Sequence, residues 1–249
     1  MAELQTTPTH PVRFRVHRRK AGDSGGRFDT FEVPLDEHRT VLDGLVAIRT
    51  GQDPSLTFRH SCFHASCGTC GMRVNGRDVL ACVTKVADTG PDVTVEPLAN
   101  LPLVSDLVVE MGAFYGPFDR AGRPLVRESE LLPGGERAEG IDVLTRYEDC
   151  IECGICVSAC PVAGSDSRYA GPAALAAAAR VVLEPRDADA PAALRFADDE
   201  HGIWRCHVAY ECTEACPSNA DPGGHIMRLR RAATANRVRR WFGAGRAAR

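Results

Sequence analysis

Seven cysteines in the second half of the chain fall into two runs: Cys150, Cys153, Cys156 and Cys160 before Pro161, then Cys206, Cys212 and Cys216 before Pro217. Three thiolates at three-residue steps, with a fourth just before a proline, suit a loop that wraps one iron-sulfur cubane and sends its last cysteine to a second cluster. The expected ligand groups are Cys150, Cys153 and Cys156 with Cys216, and Cys160 with Cys206 and Cys212. The second run lacks a middle cysteine, because the matching position holds Ala209. Three available thiolates favour a [3Fe-4S] cluster beside a complete [4Fe-4S] cluster. A [4Fe-4S] cluster with water on its fourth iron, as in aconitase, is the alternative. Zinc fits less well, because structural zinc sites close with four Cys or His ligands in paired short spacings.

A second constellation lies nearer the start. Cys62, Cys67 and Cys70 have four and then two residues between them, and Cys82 follows after eleven more. This is the plant-type [2Fe-2S] spacing. Gly68 and Gly71 sit among the ligands, where a loop must turn tightly and bring backbone N–H groups toward sulfur. The elements that must hold this loop are legible on either side. Val12 to His17 and Phe28 to Val33 alternate as strands around a glycine-rich turn. Thr40 reads as an N-cap for a helix whose apolar face (Val41, Leu42, Leu45, Val46, Ile48) ends at Gly51. Asn75-Gly76, between Met72–Val74 and Asp78–Cys82, is a strong hairpin signal that carries Cys82 back toward the loop. Strand, strand, helix, then a hairpin is the order of a β-grasp fold.

The 249 residues leave room for two domains, set at 1–115 and 116–249, and the fold class is α+β with a mostly α-helical second part. Val93 to Glu96 reads as the last strand of the first domain, and Leu103 to Met111 as a short helix leading out through the Gly- and Pro-rich stretch Gly112 to Pro124. Glu128 to Gly140 is irregular, Pro172 to Leu183 reads as a helix with proline in its first turn, and Glu184 to Glu200 reads as an acidic surface loop. Beyond Pro217 the tail reads as a helix, with eight arginines and no acidic residue from Arg228 to Arg249. It fits either a solvated face or docking on anionic headgroups or a membrane subunit. Eleven cysteines, with no apolar leader in the first residues, point to metal binding in a reducing compartment, since an odd count cannot pair fully. The most apolar run is too short to cross a bilayer, so the chain is expected to be soluble on its own. The net charge of −3 favours neither nucleic acid nor membrane as an overall partner. No G-x-G-x-x-G follows a strand, so no FAD or NAD site is evident.

A plant-type cluster motif followed by a two-cluster motif with Ala209 in place of a cysteine is a narrow combination, and Gly171-Pro172-Ala173-Ala174 adds to it. The chain resembles the iron-sulfur subunit of succinate dehydrogenase and fumarate reductase. The resemblance implies [2Fe-2S], [4Fe-4S] and [3Fe-4S] clusters in a line, and an enzyme whose flavin chemistry lies in another chain. The partners implied are a flavoprotein with covalent FAD that oxidises succinate to fumarate, a hydrophobic membrane anchor that can carry haem, and a quinone. It also implies a peripheral position on the cytoplasmic face of the inner membrane. Ubiquinone-type relatives place a tryptophan shortly after the cysteine-proline of the first run, where this chain reads Val162-Ala163-Gly164-Ser165. That leans toward a menaquinone-type site, with Pro161 and His207 as candidate lining residues. His60 and His64 beside Cys62 read as surface histidines, or as contacts to the flavoprotein. Rival readings are a fumarate reductase running in the opposite direction, and a soluble multi-cluster carrier serving another dehydrogenase.

Overall fold

The computed structural model describes residues 9–20, 22–121, 149–184 and 190–244. It divides into two compact units, residues 1–110 with 151–155, and residues 111–150 with 156–249.

In the first unit, β1 (His10–Arg18) pairs antiparallel with β2 (Arg27–Leu35), and alternation along β1 turns Val12, Phe14 and Val16 inward. Helix α1 (Val41–Gly51) starts at Thr40 with a reciprocal capping box to Asp43 and buries Val41, Leu42, Leu45 and Ile48. Gly44 lets it lie close to the sheet, since a Cβ there would stand 2.2 Å from the Phe14 ring. Strands β3 (Gly71–Val74) and β4 (Arg77–Leu80) form the hairpin at Asn75-Gly76, whose positive φ values of 48° and 79° suit the tight turn that pairs these residues. After the single turn α2 (Val86–Thr89), β5 (Asp92–Glu96) runs parallel to β1, giving the sheet order β2-β1-β5-β3-β4. This is the β-grasp arrangement expected from the sequence.

The expected helix over Leu103–Met111 is instead a hairpin of β6 (Leu103–Ser105) and β7 (Val108–Val109). Val104, Val108 and Val109 disfavour helix at χ1. Asp106 also takes φ 47° in the turn, where its buried carboxylate collects partners that no helix would bring to it.

In the second unit, α3 (Gly112–Ala121) lies in the Gly- and Pro-rich stretch and includes Pro117. Short helices α4 (Ile155–Ser158) and α5 (Pro161–Ser165) carry the first cysteine run. Helix α6 (Pro172–Val182) is alanine-rich and buried along nearly its whole length, which allows α3, α7 and α9 all to pack against it. Where an acidic loop was expected over Glu184–Glu200, residues Ala190–Ala197 form α7. Ala193 and Ala197 dock in the core, and these small side chains leave little hydrophobic signal between charged flanks. A 3-10 turn (Ile203–Arg205), α8 (Glu211–Glu214) and the long α9 (Pro222–Ala244) complete the unit. The irregular stretch read at Glu128–Gly140 lies outside the described residues. No helix among the described residues is long and apolar enough to cross a membrane.

Candidate iron-sulfur centres

The loop from Cys62 to Cys70 follows α1 and leads into β3, with Cys82 just beyond β4. It is fastened by backbone bonds from Ala81 N–H to Cys70 O (3.1 Å), Leu42 N–H to Ala81 O (3.1 Å) and Val41 N–H to Thr84 O (2.9 Å). The first amides of α1 therefore lock the Cys82 segment. Within the loop, Phe63 and Ala65 adopt positive φ, as does Gly68, and this alternation turns successive N–H groups inward as an anion-binding nest. Cys62 Sγ accepts bonds from the amides of His64 (3.5 Å), Ser66 (3.2 Å) and Cys67 (3.3 Å), and Cys82 Sγ from Ala65 (3.3 Å). The His64 amide leads the interactions that lower the Cys62 pKa to about 7. Burial pushes the Cys70 thiol up to about 12, with Cys82 and Cys67 close enough to interact with it. The four cysteines thus meet in one loop system. Cys70 and Cys82 are buried and Cys62 and Cys67 partly exposed; thiolates gathered in this way call for a cationic group to carry their charge, and iron is such a group.

Gly68 has a second role. At φ +71° it presses on the next cysteine run, and a Cβ there would stand 2.7 Å from Ile151 O and 2.8 Å from Cys153 Cβ. Cys150 and Cys153 lie on the approach to α4 and Cys156 within it, with Glu152 at φ 54° and Gly154 at φ 81° between them. Cys216 Sγ accepts the Ala220 amide at 3.3 Å.

Cys160, Cys206 and Cys212 line one open pocket, which Ala209, Pro161, His207 and Tyr169 also line. Loop 206–212 repeats the nest device, since Val208 (φ 62°) and Tyr210 (φ 61°) take the left-handed conformation that β-branched and bulky residues avoid. The Val208 amide donates to Cys206 Sγ at 3.4 Å. Burial raises Cys160, and burial with the neighbouring Cys160 and Cys206 raises Cys212 to about 12. Pro161 and His207 are at the exposed side of the pocket. His64 is exposed, while His60 packs between Phe58 and Phe63 at 5.2 Å from each, with its pKa lowered by burial and by Arg49.

Two arginines of the basic tail hold the Cys206 segment, a role the sequence did not reveal. Arg230 donates to Ile203 O (3.0 and 2.8 Å) and Cys206 O (2.8 Å). Arg237 pairs with Asp198 at 2.8 Å and lies 4.6 Å over the Trp204 ring. Arg205 is tied to Asp166 at 2.5 Å. The bond from Arg205, with the Arg168 amide, brings the Asp166 pKa down to about 2.

Residues 13–116 match the family model for a 2Fe-2S iron-sulfur cluster binding domain, and residues 146–220 that for a 4Fe-4S dicluster domain. The fumarate reductase iron-sulfur subunit of Mycobacterium tuberculosis is 38% identical over 88% of this chain and 90% of its own length. This chain belongs to the succinate dehydrogenase and fumarate reductase iron-sulfur subunits. As such an iron-sulfur subunit, it serves electron transfer in an oxidoreductase complex. Its counterpart in Escherichia coli O157:H7 fumarate reductase is 33% identical over 91% of this chain and 93% of that protein. The rice mitochondrial succinate dehydrogenase [ubiquinone] iron-sulfur subunit 1 is 36% identical over 77% of this chain and 70% of that protein. A chain of the Mycobacterium smegmatis Sdh1 complex superposes with a TM-score of 0.81 at 27% identity, covering 92% of this chain and 97% of that one. Fumarate reductase and succinate dehydrogenase iron-sulfur subunits are thus both among its relatives.

Proposed function

We propose that the chain relays electrons one at a time between a flavoprotein that oxidises succinate and a quinone at a hydrophobic membrane anchor. Cys62, Cys67, Cys70 and Cys82 hold a [2Fe-2S] cluster, Cys150, Cys153, Cys156 and Cys216 a [4Fe-4S] cluster, and Cys160, Cys206 and Cys212 a [3Fe-4S] cluster. Bound at these cysteines, the clusters supply one-electron acceptance and donation, while FAD in the partner supplies the two-electron step.

The observation that carries the reading is the three-cysteine pocket, where the corner a fourth thiolate would fill is Ala209. One thiolate fewer leaves less negative charge, which favours reduction and suits the last station before a quinone. The chain's own contribution is to hold thiolates with backbone N–H donors and to bury Cys70, Cys82, Cys160 and Cys212. Gly68 and Gly71 further bring the first ligand loop against residues Ile151–Cys153, a close approach that suits short electron steps. Pro161 and His207 line the pocket mouth where a menaquinone-type quinone would sit. The chain itself is peripheral, held by the anchor on the cytoplasmic face of the inner membrane.

Low-temperature EPR of the detergent-purified complex tests this, first as isolated in air and then after succinate, with malonate as control. The expected result is an oxidised three-iron signal that succinate removes, joined by a reduced [2Fe-2S] signal, both changes blocked by malonate. Absence of a three-iron signal from a complex with full iron content overturns the ligand assignment. A signal that succinate leaves untouched overturns the donor.

A further inference from the structure

We infer that the end of α9 docks on an anionic phospholipid surface, with Val238, Trp241 and Phe242 entering the interface and Arg231 and Arg239 meeting the headgroups. The inference rests on the reading of the chain as a peripheral membrane protein. In the first turns of α9 the buried residues Ile226, Leu229 and Ala233 follow helical spacing and belong to the core of the second unit. The same row continues into Asn236, Arg237 and Arg240, so beyond Ala233 the core-facing side of the helix turns polar. Arg237 pairs there with Asp198 at 2.8 Å and lies over Trp204, which fixes the helix just short of its end.

The apolar side chains of the last turns lie on a different face. Val238, Trp241 and Phe242 are spaced i, i+3, i+4 and, at about 100° of turn per residue, stand well away from the core row. They are 45%, 79% and 72% exposed, and the two rings stack 5.9 Å apart. Arg231 falls two turns earlier on this face and Arg239 beside Phe242, both of them exposed. Arg237 is committed to Asp198, whereas among the described residues no carboxylate pairs with Arg231 or Arg239. From Arg228 to Arg249 the sequence holds no acidic residue at all. A merely solvated basic face has no use for adjoining Trp and Phe side chains left in water. Arginines around exposed aromatic rings suit a helix in the membrane interface, where the rings enter the headgroup boundary and the cations meet anionic lipid. Size favours lipid over a protein partner. Covering the two rings would bury about 300–500 Å², whereas a specific protein interface buries about 800 Å² on each side. A lipid surface needs no such area, because its negative potential complements the uncompensated arginines.

The test is co-sedimentation of the full chain, carrying its clusters, with vesicles of phosphatidylcholine alone and of phosphatidylcholine with an equal amount of phosphatidylglycerol. The native chain is expected to sediment with the mixed vesicles and to stay in solution with the neutral ones. Arg231→Gln combined with Arg239→Gln weakens the affinity about twentyfold, roughly fivefold for each charge removed. Trp241→Ala combined with Phe242→Ala weakens it by about tenfold or more. Native tryptophan emission shifts to the blue on binding, and Trp241→Phe abolishes the shift. All four positions are exposed, so the visible circular dichroism of the clusters stays unchanged in these variants and shows the fold to be intact. Binding that ignores lipid charge, or that survives both pairs of substitutions, overturns the inference. In the assembled complex, a benzophenone amino acid in place of Phe242 is expected to crosslink to lipid on irradiation, and crosslinking to a protein chain instead overturns lipid as the occupant. Loss of vesicle binding and of lipid crosslinks in a complex that still passes electrons from succinate to quinone overturns the docking and leaves the relay standing.

Discussion

Asp106→Ala separates what burial contributes from what ion pairing alone contributes. The Asp106 side chain is fully buried, 3.3 Å from Arg18 Nε and 2.5 Å from Lys20 Nζ. It also accepts the amide N–H groups of Arg19 (3.0 Å) and Thr57 (2.9 Å) and the Thr57 hydroxyl (3.0 Å). Through these bonds the β6–β7 turn fastens β1 to the segment that leads into the Cys62 loop. Without the carboxylate, Arg18 keeps Asp53, Asp29 and Ser55, and Lys20, 40% exposed, can turn to water. The loss is therefore concentrated in two part-buried amides left without their acceptor, at up to about 1–3 kcal/mol each. That sum overlaps the cost of breaking a buried pair, about 3–5 kcal/mol. The comparison is Asp92→Ala, which removes the Arg13–Asp92 bridge at 3.0 Å between side chains 59% and 68% exposed and should cost about 0–1 kcal/mol. For a domain of roughly 100 residues, 1 kcal/mol moves the melting midpoint by about 4–8 °C. On heating, visible circular dichroism from the first centre should disappear at least about 12 °C earlier in Asp106→Ala, and less than about 8 °C earlier in Asp92→Ala. Equal shifts would refute the argument from burial.

The same network predicts a pH window. Burial works to raise the Asp106 pKa, but Lys20, the Thr57 and Arg19 amides and Arg18 outweigh it and lower it. Bonds from Ser55 and then Arg18 bring Asp53 down to about 2. Folded values below the ordinary carboxylate pKa of about 3.9 mean that this stabilisation is complete above about pH 4 and is lost as pH falls through the folded values. The melting difference between the native chain and Asp106→Ala should accordingly be constant from neutral pH down to about pH 4 and shrink below it; a difference that grew on acidification would contradict the sign.

Ala209→Cys restores the missing thiolate of the three-cysteine pocket, and EPR should then show the three-iron signal replaced by a four-iron one, with a lower potential and slower quinone reduction. An unchanged three-iron signal would count against the ligand set. Gly68→Ala forces a side chain into φ +71° and to within 2.7 Å of Ile151 O, a backbone atom that cannot swing away. Left-handed strain alone costs about 1–2 kcal/mol, and iron analysis with EPR should show both the first centre and the one that includes Cys153 weakened together. Loss confined to the first centre would place the strain, rather than the clash with the second run, in control.

Much of the first unit was legible because its signals are local. Alternation in β1, the Thr40 cap and the Asn75-Gly76 turn each act within a few residues, and the structure places the expected elements there. The readings that failed are those in which a distant partner overrides local pattern. Leu103–Met111 turns back as a hairpin because Asp106 is held by Arg18, Lys20 and Thr57, and Ala190–Ala197 is helical because small side chains dock on a core that sequence windows do not contain. The arginine-rich tail looked like one basic surface, yet Arg230 caps the carbonyls of the Cys206 segment and Arg237 covers Trp204.

By itself, the sequence determined the family and the candidate ligand groups, because cysteine-to-cysteine spacing limits which thiolates a short loop can bring to one cluster. Tertiary structure alone decided what surrounds them. The donors to each sulfur depend on backbone conformations such as φ 62° at Val208, and Tyr169 comes to line the pocket of Cys160, Cys206 and Cys212 only through the folding of the second unit. Such contacts join residues far apart in the chain, so no pattern along it records them.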